Sequence, residues 1–486
     1  MELLRQFPAL ARTLGYGLIF IGLIPLAAVA VACIYAEWDT IIPILSVTAS
    51  LCAAGVVLRF IPQNGVKPTP ALFVAATVIL WGFVALCGLF PFLFAGLSFI
   101  DAAFESMSAW TGTGFSVVAD IEAWPHAILF WRSLMEWVGC LGIIVFALSV
   151  TANAGFSRGL FRTEGRLDTF LPSVKETATQ MLKIYLTLTA IAVAAIFCTG
   201  VGIWDAVNLA LCGVSTGGMA IYSDGIVHYN NIGLEIVLIP VMFFGAIPFR
   251  LYYLLYTKSS IKKILHDRVL FAMLIAFVAL SIFLVLDLIF SSGLSIEDAF
   301  RQGVFMAGSA VSSTGFQNTT LLSWGPAPLL VLALFLFIGG AQGSTAGGIK
   351  MNRILVVFES IIWWMKKTIS SSKAVVSMRH DGKSVKDDEA VSLITGSAVI
   401  ILCFVTLLVA VLVILLHDPY FSSNISGTIF GVVNCVANTG ASAGLIGPDM
   451  PAYAKIIFIF VMWAARLEII PVIILINAVI HGIRVK

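Results

Sequence analysis

Four Thr-Gly pairs carry the chemistry that this sequence offers: Thr113-Gly114-Phe115, Thr216-Gly217-Gly218, Thr314-Gly315-Phe316 and Thr439-Gly440-Ala441. They recur roughly every 100 to 125 residues, longer than any solenoid period, which suggests four copies of one module. A cation leaving water needs replacement oxygens, and a ring of backbone carbonyls together with threonine hydroxyls supplies them. Glycine permits the positive φ values that aim successive carbonyls at one axis. No carboxylate stands in the turns, so discrimination between ions would rest on carbonyls and hydroxyls. Thr-Gly pairs also end ordinary helices, so their placement decides what they mean.

Placement depends on the elements around them. Of the 486 residues, 60% are hydrophobic and only 11% are charged, with a mean hydropathy of +1.02. A helix crosses the hydrocarbon core with about 20 apolar residues, and such stretches run almost end to end. The fold class is therefore an all-α polytopic membrane protein. Two spans, at about 10–36 and 41–62, form an N-terminal unit 1–68. Four repeats follow at 69–165, 166–264, 265–390 and 391–486, each reading span, short helix, glycine turn, span. The short segments, such as Asp101 to Trp110, cannot cross and read as re-entrant helices. Non-helical backbone at membrane depth is tolerated where it lines a cavity, so the repeats are expected in a pseudo-fourfold arrangement around one pore. Asp101, Asp205 and Asp298 suit the N-termini of the first three short helices, where a carboxylate meets the positive dipole end. The fourth lacks such an acid.

This reading gives ten spans, the second span of each repeat being an unbroken run at 128–152, 232–256, 327–365 or 452–483 except for one glycine-rich interruption in the third. Both termini then lie on one side. Lys and Arg gather in 1–12, 59–67, 154–183, 257–268, 350–390 and 484–486, leaving only Arg132, Arg250, Arg301, Lys455 and Arg466 elsewhere. Basic excess assigns that side to the cytoplasm, so the turns enter from outside. The N-terminal stretch lacks the cleavage site of a removable signal. The eight cysteines lie in apolar stretches without a C-x-x-C pair and read as buried free thiols. Six scattered histidines offer no metal cluster or nucleophile–base pair, which argues against an intramembrane enzyme. An alternating-access transporter would show mid-membrane charges and inverted repeats. A pore-less receptor would leave the four turns unexplained.

The glycine-rich interruption is Gly339-Gly340-Ala341-Gln342-Gly343-Ser344-Thr345-Ala346-Gly347-Gly348. Each glycine in a helix interior costs about 1 kcal/mol relative to alanine. A broken helix lining a cavity fits better, about half-way across and just below the ring, where it could gate. Arg466 interrupts the last span, and an ionisable residue at that depth normally faces a cavity or a partner. Glu468 is two residues on, on a different helix face, so the two should not pair. Arg466 is expected to face the pore and touch the 339–348 loop. Glu136, in MEWVGCLGII, is the other intramembrane acid of note, with a structural hydrogen bond as its expected role.

At this point the residues fit a known pattern. The four turns, the run FIGGAQGSTAGGIK (337–350) and ARLEI (465–469) together resemble the Trk/Ktr/HKT superfamily of potassium transporters. WRSLMEWVGCLGIIV (131–145) is similar to its first repeat, and the two extra N-terminal spans bring the chain nearest the TrkH/TrkG branch. The resemblance implies potassium as the ion. Its ligands would come from Gly112, Thr113 and Gly114; Ser215, Thr216 and Gly217; Ser313, Thr314 and Gly315; and Asn438, Thr439 and Gly440. It makes Gly339, Gly340, Gln342, Gly343, Ser344, Thr345, Gly347 and Gly348 the gate, with Arg466 beneath the filter. It also implies a homodimer in the cytoplasmic (inner) membrane, each protomer with its own pore and its lipid surroundings. A TrkA-like cytosolic ring of nucleotide-binding regulatory subunits would dock on 154–183 and 350–390, so nucleotide enters only through a partner. No nucleic acid is called for. Moderate selectivity is expected, since one glycine per turn makes a short filter, and Gly112, Gly218-Met219 and Asn-Thr-Gly-Ala depart from the family's turns. A sodium- or proton-coupled potassium symporter is the alternative.

Overall fold

Glycines decide how the first two spans meet. In the computed structural model, which describes residues 2–62, 69–142, 171, 173–258, 266–371, 376–380 and 382–481, the helix Glu2–Leu23 lies against Ile41–Arg59. A Cβ on Gly15 would stand 2.5 Å from the Gly55 carbonyl oxygen, and one on Gly55 would stand 2.7 Å from that of Gly15. Small residues thus let two backbones touch, the usual way helices associate in lipid. Glu37, in the turn between them, binds the start of the helix His126–Leu141. Its carboxylate accepts from the His126 N–H at 2.8 Å and the Ala127 N–H at 2.9 Å. Two free N–H groups at a helix start are satisfied, and the N-terminal pair is latched to the body.

Each repeat then opens with a long span: Pro70–Gly88, Val174–Phe197, Arg268–Phe290 and Asp387–Leu415. Among the described residues, six helices are long and apolar enough to cross a membrane, and two helix pairs, bent by 93° and 107°, reach that length and hydropathy only together. The chain is a multi-pass membrane protein. The short helices are Phe99–Thr111, Ile203–Val214, Ile296–Ser312 and Ile425–Ala437. Ser98 and Asp101, and likewise Ser295 and Asp298, form reciprocal caps: each serine hydroxyl accepts from the aspartate N–H and donates to its carboxylate. Asn424 takes that place in the fourth, accepting from the Gly427 N–H at 2.9 Å.

The return helices differ from expectation. His126–Leu141, Ile232–Ala246, Pro326–Ile338 and Ala452–Arg466 all stop short, where the sequence suggested continuous spans at 128–152, 232–256 and 452–483 as well as a single interruption within 327–365. The causes are local. Gly142 takes φ +102 and Gly339 φ +72, while Pro248 follows the second helix and supplies no N–H. In the fourth, Glu468 (φ +59) and Ile469 (φ +64) adopt left-handed backbone just ahead of Pro471. Apolar composition had hidden these breaks, because hydropathy is blind to backbone conformation.

Two smaller departures complete the architecture. Met378–His380 and Lys383–Val385 pair as an antiparallel hairpin in the otherwise helical chain, with Met378 buried beside Val356 and Ala390. All eight cysteines are free, as expected, but Cys33 and Cys198 are exposed rather than buried. The basic stretch around Lys67, most of 154–183 and of 257–268, and 484–486 lie outside the described residues.

Candidate functional site

The C-terminal ends of the four short helices converge, and each is finished by the same backbone device. One residue takes left-handed φ: Gly112 (+65), Thr216 (+56), Ser313 (+61) and Asn438 (+51). The next residue donates its N–H five residues back, Thr113 to Ser108, Gly217 to Cys212, Thr314 to Ser309 and Thr439 to Asn434, at 2.9–3.1 Å. These bonds align the four turns without reference to residue type. They place Gly114, Gly218, Gly315 and Gly440 at one level. The frame Ser215-Thr216-Gly217 read from the sequence is therefore one residue early, and the second turn is Thr216-Gly217-Gly218. Ser215 still belongs to the helix end, its hydroxyl donating to the Cys212 carbonyl at 3.0 Å. The tandem glycines allowed both frames, and the Thr-Gly spacing pointed to the wrong one.

The ring closes on itself. A Cβ on Gly114 would collide with the Gly217 carbonyl, and one on Gly218 with the Thr314 carbonyl. On Gly315 it would meet the Gly440 N–H, and on Gly440 it would stand 2.8 Å from the Thr113 carbonyl oxygen. First touches second, second third, third fourth, and fourth first. Gly114, Gly218 and Gly315 also require positive φ, whereas Gly440 is required by crowding alone.

Threonine hydroxyls serve mostly to hold the turns. Thr113 bonds Thr111 at 2.7 Å and also accepts from the Asn438 amide at 3.0 Å. Thr314 bonds Ser312 at 2.7 Å, and Thr439 donates to the Asn434 side-chain oxygen at 2.5 Å. Thr216 reaches Thr345 of the glycine loop at 3.1 Å. Among the described residues the turns keep their backbone carbonyls and the buried Ser313 hydroxyl, which has no hydrogen-bond partner.

Behind the ring lie charges that the sequence reading did not single out. Glu105, fully buried, accepts from the Val117 N–H at 2.6 Å and the Ser116 hydroxyl at 2.8 Å, and pairs with buried Arg132 at 3.2 Å. Arg301 pairs with Glu235 at 2.6 Å, and Glu235 also accepts from the Asn318 amide at 2.9 Å. Their signal was present: charged residues inside apolar helices call for partners. Glu136 stands directly behind Gly217 and accepts from the Met219 N–H at 3.3 Å, the structural bond expected of it.

Outside the ring is a cavity of about 330 Å³ whose wall includes Gly114, Gly218, Gly315 and Gly440. On the other side a cavity of about 50 Å³ is bounded by Asn438, Arg466 and the loop residues Gln342 to Gly348. The loop is held in place by backbone hydrogen bonds to its neighbours. Gly348 donates to the Ala437 carbonyl at 2.8 Å, Thr345 to that of Gly245 at 3.0 Å, and Ala341 to that of Ala246 at 3.1 Å. A Cβ on Gly339 would collide with the Gly347 carbonyl, and one on Gly340 would stand 2.6 Å from the Ala346 Cβ. Gly343 takes φ +77, and the Ser344 hydroxyl donates to the Ala341 carbonyl at 2.6 Å.

Arg466 does meet this loop. Its guanidinium donates to the Thr345 carbonyl at 3.4 Å and to the carbonyls of Gly139 and Cys140 at 2.9 and 2.7 Å. Arg132, Arg250, Arg301 and Lys455 each have a carboxylate, Glu105, Asp267, Glu235 and Asp101 respectively. Among the described residues, Arg466 forms no salt bridge, and it lines the same inner cavity as Lys350 and Glu468. Glu468 pairs instead with Arg353, at 2.6 Å, on the helix Met351–Ile369 that leaves the loop. That partner was not foreseen, because it lies 115 residues away.

A protein-family model described as TrkH, a cation transport protein, matches residues 79–481. An uncharacterized cation transporter of Methanocaldococcus jannaschii is 31% identical over 432 residues, covering 86% of this chain and 85% of the relative. The Trk system potassium uptake protein TrkH of Halomonas elongata is 26% identical and covers 96% of this chain and 97% of its own. The crystal structure of the potassium transporter TrkH from Vibrio parahaemolyticus matches with a TM-score of 0.84 at 26% identity, over 97% of this chain and 98% of the other.

Proposed function

Because the chain belongs to the TrkH family of cation transport proteins, transporters and not enzymes, we propose that it takes up potassium across the cytoplasmic membrane through the ring of four turns. The observation that carries this reading is a closed ring of glycine-bearing backbone between a wide outer cavity and a plugged inner one. Relatives named as Trk potassium uptake proteins support potassium as the ion. The carbonyls of Gly112-Thr113-Gly114, Thr216-Gly217-Gly218, Ser313-Thr314-Gly315 and Asn438-Thr439-Gly440 would replace its water. The short helices point their partially negative C-terminal ends at the same place.

The loop 339–348 and Arg466 form the gate in this reading. An ion leaving the ring meets both a steric plug and the Arg466 guanidinium, which has no salt bridge among the described residues. Opening then requires the loop to leave the Val214, Gly245 and Ala437 carbonyls to which its Thr345 and Gly348 are bonded. The helix Met351–Ile369 leads directly from the loop, which makes it the lever for a TrkA-like cytosolic subunit. Both termini are cytoplasmic, and a homodimer with one pore per protomer is the assembly. Flux in proteoliposomes under potassium or sodium gradients, with and without the regulatory subunit, tests the proposal. Potassium flux that follows its gradient and rises with the subunit is expected; absence of flux for every monovalent cation overturns it.

A further inference from the structure

Two residues beyond each ring glycine stand Ser116, Ala220, Gln317 and Ser442. At this level the turns are tied in pairs, by different means. Between the first and second turns the tie is an ion pair. Glu105 holds the Ser116 hydroxyl and the Val117 N–H, and Arg132, paired with Glu105, donates to the Ala220 carbonyl at 3.2 Å. Between the third and fourth the tie is one amide. The Gln317 side chain donates to the Ser442 carbonyl at 3.0 Å and accepts from the Ser442 N–H at 3.0 Å.

From this correspondence we infer that Glu105–Arg132 and Gln317 are equivalent clamps that fix the width of the ring and thereby set which monovalent cation it prefers. The inference rests on the proposed pore. A carbonyl cage discriminates against a smaller cation only while its walls are prevented from closing in. Turns of this kind have no regular secondary structure to stiffen them, so cross-turn bonds must do so. Both clamps lie just outside the glycine level, where they oppose drift of the turns and where Arg132 and Gln317 also border the outer cavity. The guanidinium suits the first site because it can pair with Glu105 through one edge while donating to a carbonyl through another. Burial of both partners makes the pair geometrically exacting, since neither can find water if it moves.

The test compares wild type, Arg132→Lys and Gln317→Ala in proteoliposomes, reading the ratio of potassium to sodium flux. Arg132→Lys keeps the charge that Glu105 needs but loses the fork that reaches Ala220. Gln317→Ala removes no charge. Each is expected to lower the ratio by about tenfold, the equivalent of one lost hydrogen bond of the stronger kind, while total cation flux persists. Packing damage without a role in discrimination would reduce both fluxes together and leave the ratio intact. Selective wild-type flux with an unchanged ratio in both variants overturns this inference alone. Absence of wild-type cation flux overturns the functional reading and this inference with it. If Arg132→Lys fails to fold, Gln317→Ala carries the test.

Discussion

The two sides of the ring are built on opposite plans. Outside, four turns open into a cavity of about 330 Å³, backed by one buried ion pair, Glu105–Arg132, and one half-buried pair, Arg301–Glu235. Inside, the space shrinks to about 50 Å³, filled by a glycine loop and faced by an arginine that bonds only backbone carbonyls among the described residues. Under the proposed function, the outer side would receive a cation and the inner side withhold it. In that reading discrimination and gating occupy adjacent layers that share residues: Asn438 holds the first turn through Thr113 and also borders the inner cavity.

The sharpest way to break this contrast is to remove the inner charge. Arg466→Ala should raise potassium flux on the order of tenfold or more, since a unit charge within several Å at an effective dielectric near 20 is worth about 2 kcal/mol or above. Unchanged flux in reconstituted protein would make Arg466 a structural brace only.

Next in size is the ring itself, and here the shifted frame can be tested. Gly218→Ala places a methyl against the Thr314 backbone, at positive φ, where nothing can yield. Gly217→Ala places it against the Glu136 side chain, which can be shortened. Loss of potassium selectivity is expected for both, with rescue by Glu136→Ala for Gly217→Ala alone. Rescue of Gly218→Ala as well would restore the original frame.

A smaller effect should come from the tether below the loop. Glu468→Gln leaves the Arg353 guanidinium without its carboxylate and should raise basal flux severalfold, with non-additivity of about 1–3 kcal/mol in a double-mutant cycle with Arg353→Gln. Strict additivity would show that the pair does not restrain the loop. The smallest change belongs to the outer latch. Glu37→Gln weakens the cap on His126–Leu141 and should cost about 1 kcal/mol of thermal stability without altering ion preference. A change in preference would extend the outer layer's role to the N-terminal pair of helices.

Much of this arrangement was legible in the residues. Hydropathy identified the spans, because lipid demands apolar side chains whatever the tertiary contacts. The Thr-Gly pairs marked the four turns, because backbones packed this closely leave no room for a Cβ at Gly114, Gly315 or Gly440. Five glycines in ten residues announced a broken helix before Gly339 and Gly348 proved to have positive φ. The breaks after Ala246 and Arg466 were missed although Pro248 and Pro471 stand beside them, because each bent pair still passes as one apolar span by composition.

What the sequence determined by itself is local: which segments cross, where the backbone must turn, and which ionisable groups are too costly to leave unpaired in lipid. Only the tertiary structure decided partners. It gave Arg353 rather than Arg466 to Glu468, joined Arg132 to a carbonyl of another repeat, and chose Gly218 over Gly217. The physical reason is the same in each case. A turn's conformation and a charge's cost are properties of a few adjacent residues, whereas a hydrogen-bond register and an ion pair are properties of two segments that meet only once the chain has folded.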